Sequence, residues 1–282
     1  MKKYIVAAFF MMFCVTSFSQ KKMIELWPDK VPGEIKAKSD PVIAPLRNDN
    51  VIRISEVTDP KLEVFIPEKM NEKHSAVIVC PGGGYSILAY DKEGKEIAQW
   101  LNKLGYTAFV LQYRVPNKKI GALQDLQRAI RVVRNDSAKW DINPDRIGVI
   151  GFSAGGSLCA RAATLYNKKT YSLIDTADKL SCRPSYVILI YPAYLDLGEN
   201  HSLTPELELT KDVPPIFMFQ ASDDPYGNSS LVMAKALRDA KLPVELHIVP
   251  TGGHGYGLRP GKRAPETWPG LAEIWMSAII KD

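Results

Sequence analysis

Short apolar runs alternate with segments of helical period along most of this chain, and that alternation narrows the fold more than any other feature. Ser75-Ala76-Val77-Ile78-Val79-Cys80 is almost unbroken in its apolar character, as expected of a strand buried on both faces. Leu62–Ile66, Tyr106–Tyr113, Arg146–Ile150, Tyr186–Tyr191, Ile216–Phe219 and Val244–Val249 read as further strands. Between them, Lys92–Leu104 sets Ile97, Trp100, Leu101 and Leu104 at helical spacing, with Gly105 as the stop. Helices are also expected from about Ala122 to Lys139, over Ser157–Ala163, from Leu231 to Asp239 and from Trp268 to Ile280. Strands and helices in alternation imply βαβ crossovers. The predicted class is therefore α/β, with a mostly parallel central sheet covered by helices on both faces. A chain of 282 residues, 46% of them hydrophobic, suits one large domain of this kind. The opening segment from Leu26 to about Asn50 is rich in proline and charge and reads as irregular.

The first residues have another purpose. Lys2 and Lys3 precede an apolar run from Ile5 to Phe18, which closes with Ser17-Phe18-Ser19-Gln20. This is the build of an export signal cut after Ser19, so residues 1–19 are expected to leave and 20–282 to form one domain, periplasmic or extracellular. The apolar run is shorter than the roughly 20 residues that a membrane span needs. The neighbours of Cys14 (Met12, Phe13, Val15) do not resemble the small-residue setting of a lipidated cysteine. Losing Lys2 and Lys3 lowers the formal charge from +5 to +3, too mild a balance to imply nucleic acid or a membrane surface as partner. Cys80, Cys159 and Cys182 remain, an odd set without metal-ligand spacing. Cys80 and Cys159 read as buried free thiols, and a Cys159–Cys182 bridge is the pairing weighed against that reading. No metal or organic cofactor is expected.

The candidate chemistry starts at Gly151-Phe152-Ser153-Ala154-Gly155-Gly156, set between the Arg146–Ile150 strand and the helix that follows. A G-x-S-x-G in that context forms a nucleophile elbow, a turn so tight that it lifts the serine above the end of the sheet. A serine hydroxyl needs a base within hydrogen-bond reach and a third group to orient that base. The chain has four histidines. His74 precedes a strand and belongs at the opposite edge of the sheet; His247 lies within a strand; His201 falls in a polar stretch. His254, in Thr251-Gly252-Gly253-His254-Gly255-Tyr256, stands in a glycine-rich loop just past the last strand, where it can reach Ser153. The acid should follow the Ile216–Phe219 strand, where Asp223 and Asp224 are both candidates that position alone does not separate. Either choice gives the order Ser, Asp, His that is typical of the α/β-hydrolase fold. Pro81-Gly82-Gly83-Gly84-Tyr85 follows the Cys80 strand and lacks the Lys-Ser/Thr of a phosphate loop. The amides of Gly83, Gly84 and Ala154 are the expected oxyanion hole.

With these motifs in hand, the chain resembles the secreted bacterial α/β-hydrolase esterases related to acetyl-xylan esterases and hormone-sensitive-lipase-like carboxylesterases. Leu26-Trp27-Pro28, Leu123-Gln124-Asp125 and Ala221-Ser222-Asp223-Asp224-Pro225 add to the likeness. Pro81 stands where many relatives carry histidine. The resemblance implies a serine carboxylic-ester hydrolase for short acyl groups, often on carbohydrate. The family's Asp-Asp pair points to its first member, Asp223, as the acid, although the lipase-like branch, with its acid directly before proline, points to Asp224. A peptidase of the prolyl-oligopeptidase type shares the elbow but usually adds a large gating domain, for which this chain has no room. A non-catalytic binding protein of this fold usually lacks a triad member. The stretch Pro192 to Pro215, where such folds insert a lid, carries Asp196, Glu199, Asn200, His201, Glu206 and Glu208, a polar cover suited to a soluble or oligosaccharide ester.

Overall fold

The computed structural model describes residues 22–279. The proposed signal, residues 1–19, and Cys14 with it lie outside them. The strands are β1 (Met23–Glu25), β2 (Val42–Ile43), β3 (Arg53–Ser55), β4 (Lys61–Phe65), β5 (Ala76–Cys80) and β6 (Leu88–Ala89), then β7 (Thr107–Gln112), β8 (Ile147–Phe152), β9 (Val187–Ile190), β10 (Ile216–Ala221) and β11 (Val244–Val249). The α-helices are α1 (Glu96–Lys103), α2 (Lys119–Asn135), α3 (Ala154–Thr164), α4 (Asn228–Asp239) and α5 (Arg263–Ile279).

Eight strands form the central sheet in the order β1-β4-β7-β5-β8-β9-β10-β11. From β7 to β11 every neighbouring pair is parallel, and β1 and β4 close one edge antiparallel. The apolar runs of β5, β7, β8, β9 and β10 are buried at every position, because helices cover both faces of a crossover sheet. Two helix layers flank it: α2 packs on α3, and α1 meets α5 through Trp100 and Trp268, whose rings lie 5.0 Å apart.

A small antiparallel sheet, β2-β3-β6, takes one strand, β2, from the opening segment, which is otherwise irregular as expected. Trp27 anchors that segment: its indole donates to Asp125 at 2.9 Å, and the same buried carboxylate accepts the backbone and side-chain N–H groups of Arg114 at 2.9–3.0 Å. Leu26-Trp27-Pro28 and Leu123-Gln124-Asp125 thus meet across nearly a hundred residues. The helix expected over Lys92–Leu104 begins differently. Asp91–Lys95 winds as a π-turn, with the Lys95 amide reaching back to the Tyr90 carbonyl, and this turns Glu93 and Gly94 inward.

Strand register assembles the site. Cys80 pairs with Gly151, so the glycine loop leaving β5 starts beside the turn leaving β8. Ala221 pairs with Val249, which sets the loops after β10 and β11 side by side. All four loops leave the C-terminal ends of parallel strands, where open α/β sheets bind ligands.

Candidate active site

Ser153 lies between β8 and α3 with φ 52° and ψ −117°, a conformation that non-glycine residues rarely adopt. Its N–H donates to the Ile190 carbonyl at 3.2 Å, and its carbonyl accepts from Ser157 and Ala193 at 3.1 Å each. The glycines around it are required by close approach. A Cβ on Gly155 would stand 2.1 Å from the Cys80 carbonyl, and one on Gly151 would stand 2.2 Å from the Gly155 carbonyl.

The loop after β11 brings His254 over this turn. Its Nε2 lies 2.7 Å from Ser153 Oγ, and its Nδ1 lies 2.8 Å from an oxygen of Asp224. A carboxylate only accepts, so Nδ1–H donates to Asp224 and Nε2 is left to accept the serine hydroxyl proton. His254 packs against Tyr191 and Tyr226, with ring centroids 5.1 and 4.7 Å away. His74, at the other end of the sheet, hydrogen-bonds the Asp141 carbonyl; His247 pairs with Glu245; His201 is exposed.

The carboxylate partner of His254 corrects the sequence expectation: it is Asp224, not Asp223. The turn after β10 explains the difference. The Asp224 N–H donates to Ala221 O and the Gly227 N–H to Asp224 O, which turns the Asp224 side chain inward and buries it completely. There it also accepts from the Tyr226 amide and the Gln220 side chain, both at 2.8 Å. Asp223 points outward. Its carboxylate accepts the amides of Gly253 and Gly252 at 2.7 and 3.3 Å, and the Gly253 bond first of all holds its pKa below the usual carboxylate range. It ties down the histidine loop but does not touch the imidazole. The proline directly after Asp224 was the available sequence signal.

Gly83, with φ 136°, turns its carbonyl back to accept from the Ser86 and Ile87 amides at 3.0 and 3.1 Å. The amides of Gly83, Gly84 and Ala154, the first residue of α3, have no protein acceptor among the described residues. Gly83, Gly84, Ser153 and His254 share a cleft of about 460 Å³. Its other walls were missed from the sequence: Asp49, Val51 and Arg53 at and just before β3, Ile87 and Ala89 at β6, Lys92 and Glu93 from the π-turn, and Tyr194 and Tyr226. Tyr194 and Tyr226 each sit just past the end of a strand, where a sequence reading could have placed them; no periodicity marks Asp49 or Arg53. The Arg53 guanidinium hydrogen-bonds Asp49 and pulls that carboxyl down to about 2, so the pair stays ionised and neutralises itself. A larger groove of about 690 Å³ opens elsewhere, between Lys118 and Glu206, and contains none of these groups. Cys80, Cys159 and Cys182 are buried free thiols.

Residues 62–191 match the BD-FAE family model. The chain is 30% identical over 233 residues to an acetylxylan esterase of Xylanibacter ruminicola, a match spanning 73% of this chain and 46% of that protein. It is 32% identical over 210 residues to the endo-1,4-beta-xylanase B of Butyrivibrio fibrisolvens, across 65% of this chain and 32% of the relative. The chain thus spans less than half the length of either curated relative. The solved acetyl ester-xyloside bifunctional hydrolase from Caldicellulosiruptor lactoaceticus superposes with a TM-score of 0.74 at 33% identity, over 92% of this chain and 97% of that one. With strand order, elbow and the Ser153–His254–Asp224 row already in place, this likeness means that the chain belongs to the acetyl-xylan-esterase-like family of α/β-hydrolases.

Proposed function

We propose that this protein is a serine esterase that removes short acyl groups, chiefly acetyl, from carbohydrate. The observation that carries the reading is the continuous row Ser153–His254–Asp224, with links of 2.7 and 2.8 Å, opening onto free amides in one cleft. Ser153 Oγ attacks the ester carbonyl while His254 Nε2 takes its proton, and Asp224 holds the tautomer and stabilises the imidazolium. The amides of Gly83, Gly84 and Ala154 receive the developing oxyanion. His254 then protonates the departing alcohol, and water activated by the same nitrogen releases the acid.

The leaving alcohol must lie on the histidine side, because that is where its proton comes from. Tyr226, beside His254, and Tyr194, packed against Tyr226 with centroids 5.7 Å apart, offer aromatic faces there for a sugar ring. The acetylxylan esterase and the acetyl ester-xyloside hydrolase among the relatives favour the same class of ester. A lipid substrate is disfavoured by the segment 192–215. Its Leu195 and Leu207 are buried and its Leu203 and Leu209 pack against the core, which leaves only Leu197 exposed among its leucines. No broad apolar face remains to meet an oily interface. Across acetyl, butyryl and octanoyl p-nitrophenyl esters, kcat/KM should fall by at least about 10-fold from the first to the last, on the scale of hydrophobic-pocket discrimination. Acetate should also be released from acetylated xylan. A maximum at octanoyl would overturn the short-acyl reading, and acetyl-ester turnover without release from any acetylated sugar would remove the carbohydrate.

Export belongs to the same proposal. Among the described residues no helix is long and apolar enough to cross a membrane, and residues 1–19 have the composition of a cleaved signal. N-terminal sequencing of the protein made in a bacterial host should find a chain starting near Gln20 outside the cytoplasm. Intact Met1 in a membrane fraction would contradict cleavage.

A further inference from the structure

We infer that Glu93 is a positioning residue of this active site, whose carboxylate locks the oxyanion loop to the histidine loop. The inference rests on the esterase reading above. Glu93 sits on the π-turn before α1 and is 4% exposed. A carboxylate in such a place costs stability unless its oxygens are satisfied. Burial pushes its pKa up, while hydrogen bonds from Tyr191 and Gly82 and the charge of His254 act in the other direction.

Both oxygens are taken by neutral donors. Oε2 accepts the Gly82 amide at 2.8 Å, and Oε1 accepts the Tyr191 hydroxyl at 2.8 Å. The Tyr191 oxygen in turn accepts the Gly257 amide at 3.0 Å. The two ends of this row are significant. Gly82 directly precedes Gly83 and Gly84, and Gly257 lies three residues past His254, on the loop that carries the imidazole. Tyr191 itself packs edge-on against the His254 ring. Glu93 thereby joins the segment that should hold the oxyanion to the segment that holds the base.

The fit around Gly82 shows how a shift would spread. A Cβ there would stand 2.6 Å from Glu93 Oε2 and from the Phe152 carbonyl, and 2.9 Å from Ser153 Cβ. The side of Gly82 where a side chain would stand faces both the carboxylate and the serine turn with no room to spare, so a displaced carboxylate disturbs the loop where it meets Ser153. Two donors point at one side chain, and an ionised carboxylate accepts from both. Glutamine has the same shape, yet its NH₂ must face either the Gly82 amide, a donor-to-donor clash, or the Tyr191 oxygen, which already accepts the Gly257 amide, leaving the Tyr191 proton without its acceptor.

The test uses the whole enzyme and p-nitrophenyl acetate. Glu93→Gln should lower kcat by about 10- to 100-fold with KM changed less than about 2-fold, the scale expected when a preorganised group is displaced by a fraction of an ångström to 1 Å. Tyr191→Phe removes one hydroxyl and should lower kcat in the same way. The double variant should lose less than the product of the two single losses, because one row is cut twice. A role in stability alone would lower the melting temperature and leave kcat per folded molecule unchanged. Should Glu93→Gln fail to fold, Tyr191→Phe decides. Wild-type turnover that depends on Ser153, combined with kcat within 2-fold of wild type in the folded variants, overturns the inference while leaving the esterase intact. Absence of wild-type turnover on any ester overturns the parent reading, and this inference falls with it.

Discussion

Replacing Ser153 with alanine is expected to lower kcat for p-nitrophenyl acetate by about 10⁵- to 10⁶-fold, the scale seen when a hydrolase loses its nucleophile. The side chain contributes one hydrogen bond in this structure, to His254 Nε2, and the turn is held by backbone bonds that alanine keeps. The fold should therefore survive, with a melting temperature within a few degrees of wild type. Residual catalysis of about 10³- to 10⁴-fold over water should remain, because the amides of Gly83, Gly84 and Ala154 still bind the oxyanion. Active-site titration with an activated acetyl ester provides the second readout: the wild type shows a burst of one nitrophenol per enzyme where deacylation is the slower step, and the variant shows none. A folded variant that retains more than about 1% of wild-type kcat would mean that another group is the nucleophile, since triad loss costs several decades.

The second large effect separates two adjacent carboxylates. Asp224→Asn should lower kcat by about 10⁴-fold, and Asp223→Asn by only a few-fold, judged by the cost of the wrong histidine tautomer in a triad. Asparagine at 224 keeps the shape but offers one acceptor oxygen where three donors converge: His254 Nδ1, Gln220 Nε2 and the Tyr226 amide. Its NH₂ must face at least one of them, and the imidazole can turn its proton toward Ser153 to escape the clash. Asparagine at 223 loses charge but keeps an acceptor for the Gly253 amide, so the histidine loop loosens without changing the tautomer. Steady-state kinetics on the two variants side by side decide the matter. Equal losses, or a larger loss at 223, would sink the assignment made from geometry.

The parallel sheet was readable because strands buried on both faces have no polar side to hide: the apolar runs of β5, β8 and β9 announce themselves without any partner in view. The elbow was readable for a local reason, since the steric demand that makes Gly151 and Gly155 glycines is met within a few residues of Ser153. His254 could be found by elimination, because only four histidines exist and one stands in a glycine loop past the last strand. Other parts had no local signature. Strands β2, β3 and β6 are two or three residues long, too short to show alternation, and their pairing is decided by what they cover. The π-turn at Asp91–Lys95 is invisible to a helical period, since one turn closed from Lys95 back to Tyr90 is too short to show a spacing of its own.

The sequence by itself determined the fold class, the tight glycine turn at Ser153, the histidine that meets it and the glycine loop that faces them, because each is dictated by the requirements of its own few residues. Tertiary structure alone decided which of Asp223 and Asp224 meets the imidazole, and which residues wall the cleft. Two neighbouring aspartates in a turn are alike in composition, and their difference lies in which one the turn aims into the protein and which one it leaves to the loop amides beside it. Asp49, Arg53, Glu93, Tyr194 and Tyr226 become neighbours of Ser153 only when the sheet has brought its loops to one end. No pattern within any one of those segments encodes that meeting, because the contacts that create it are made between segments.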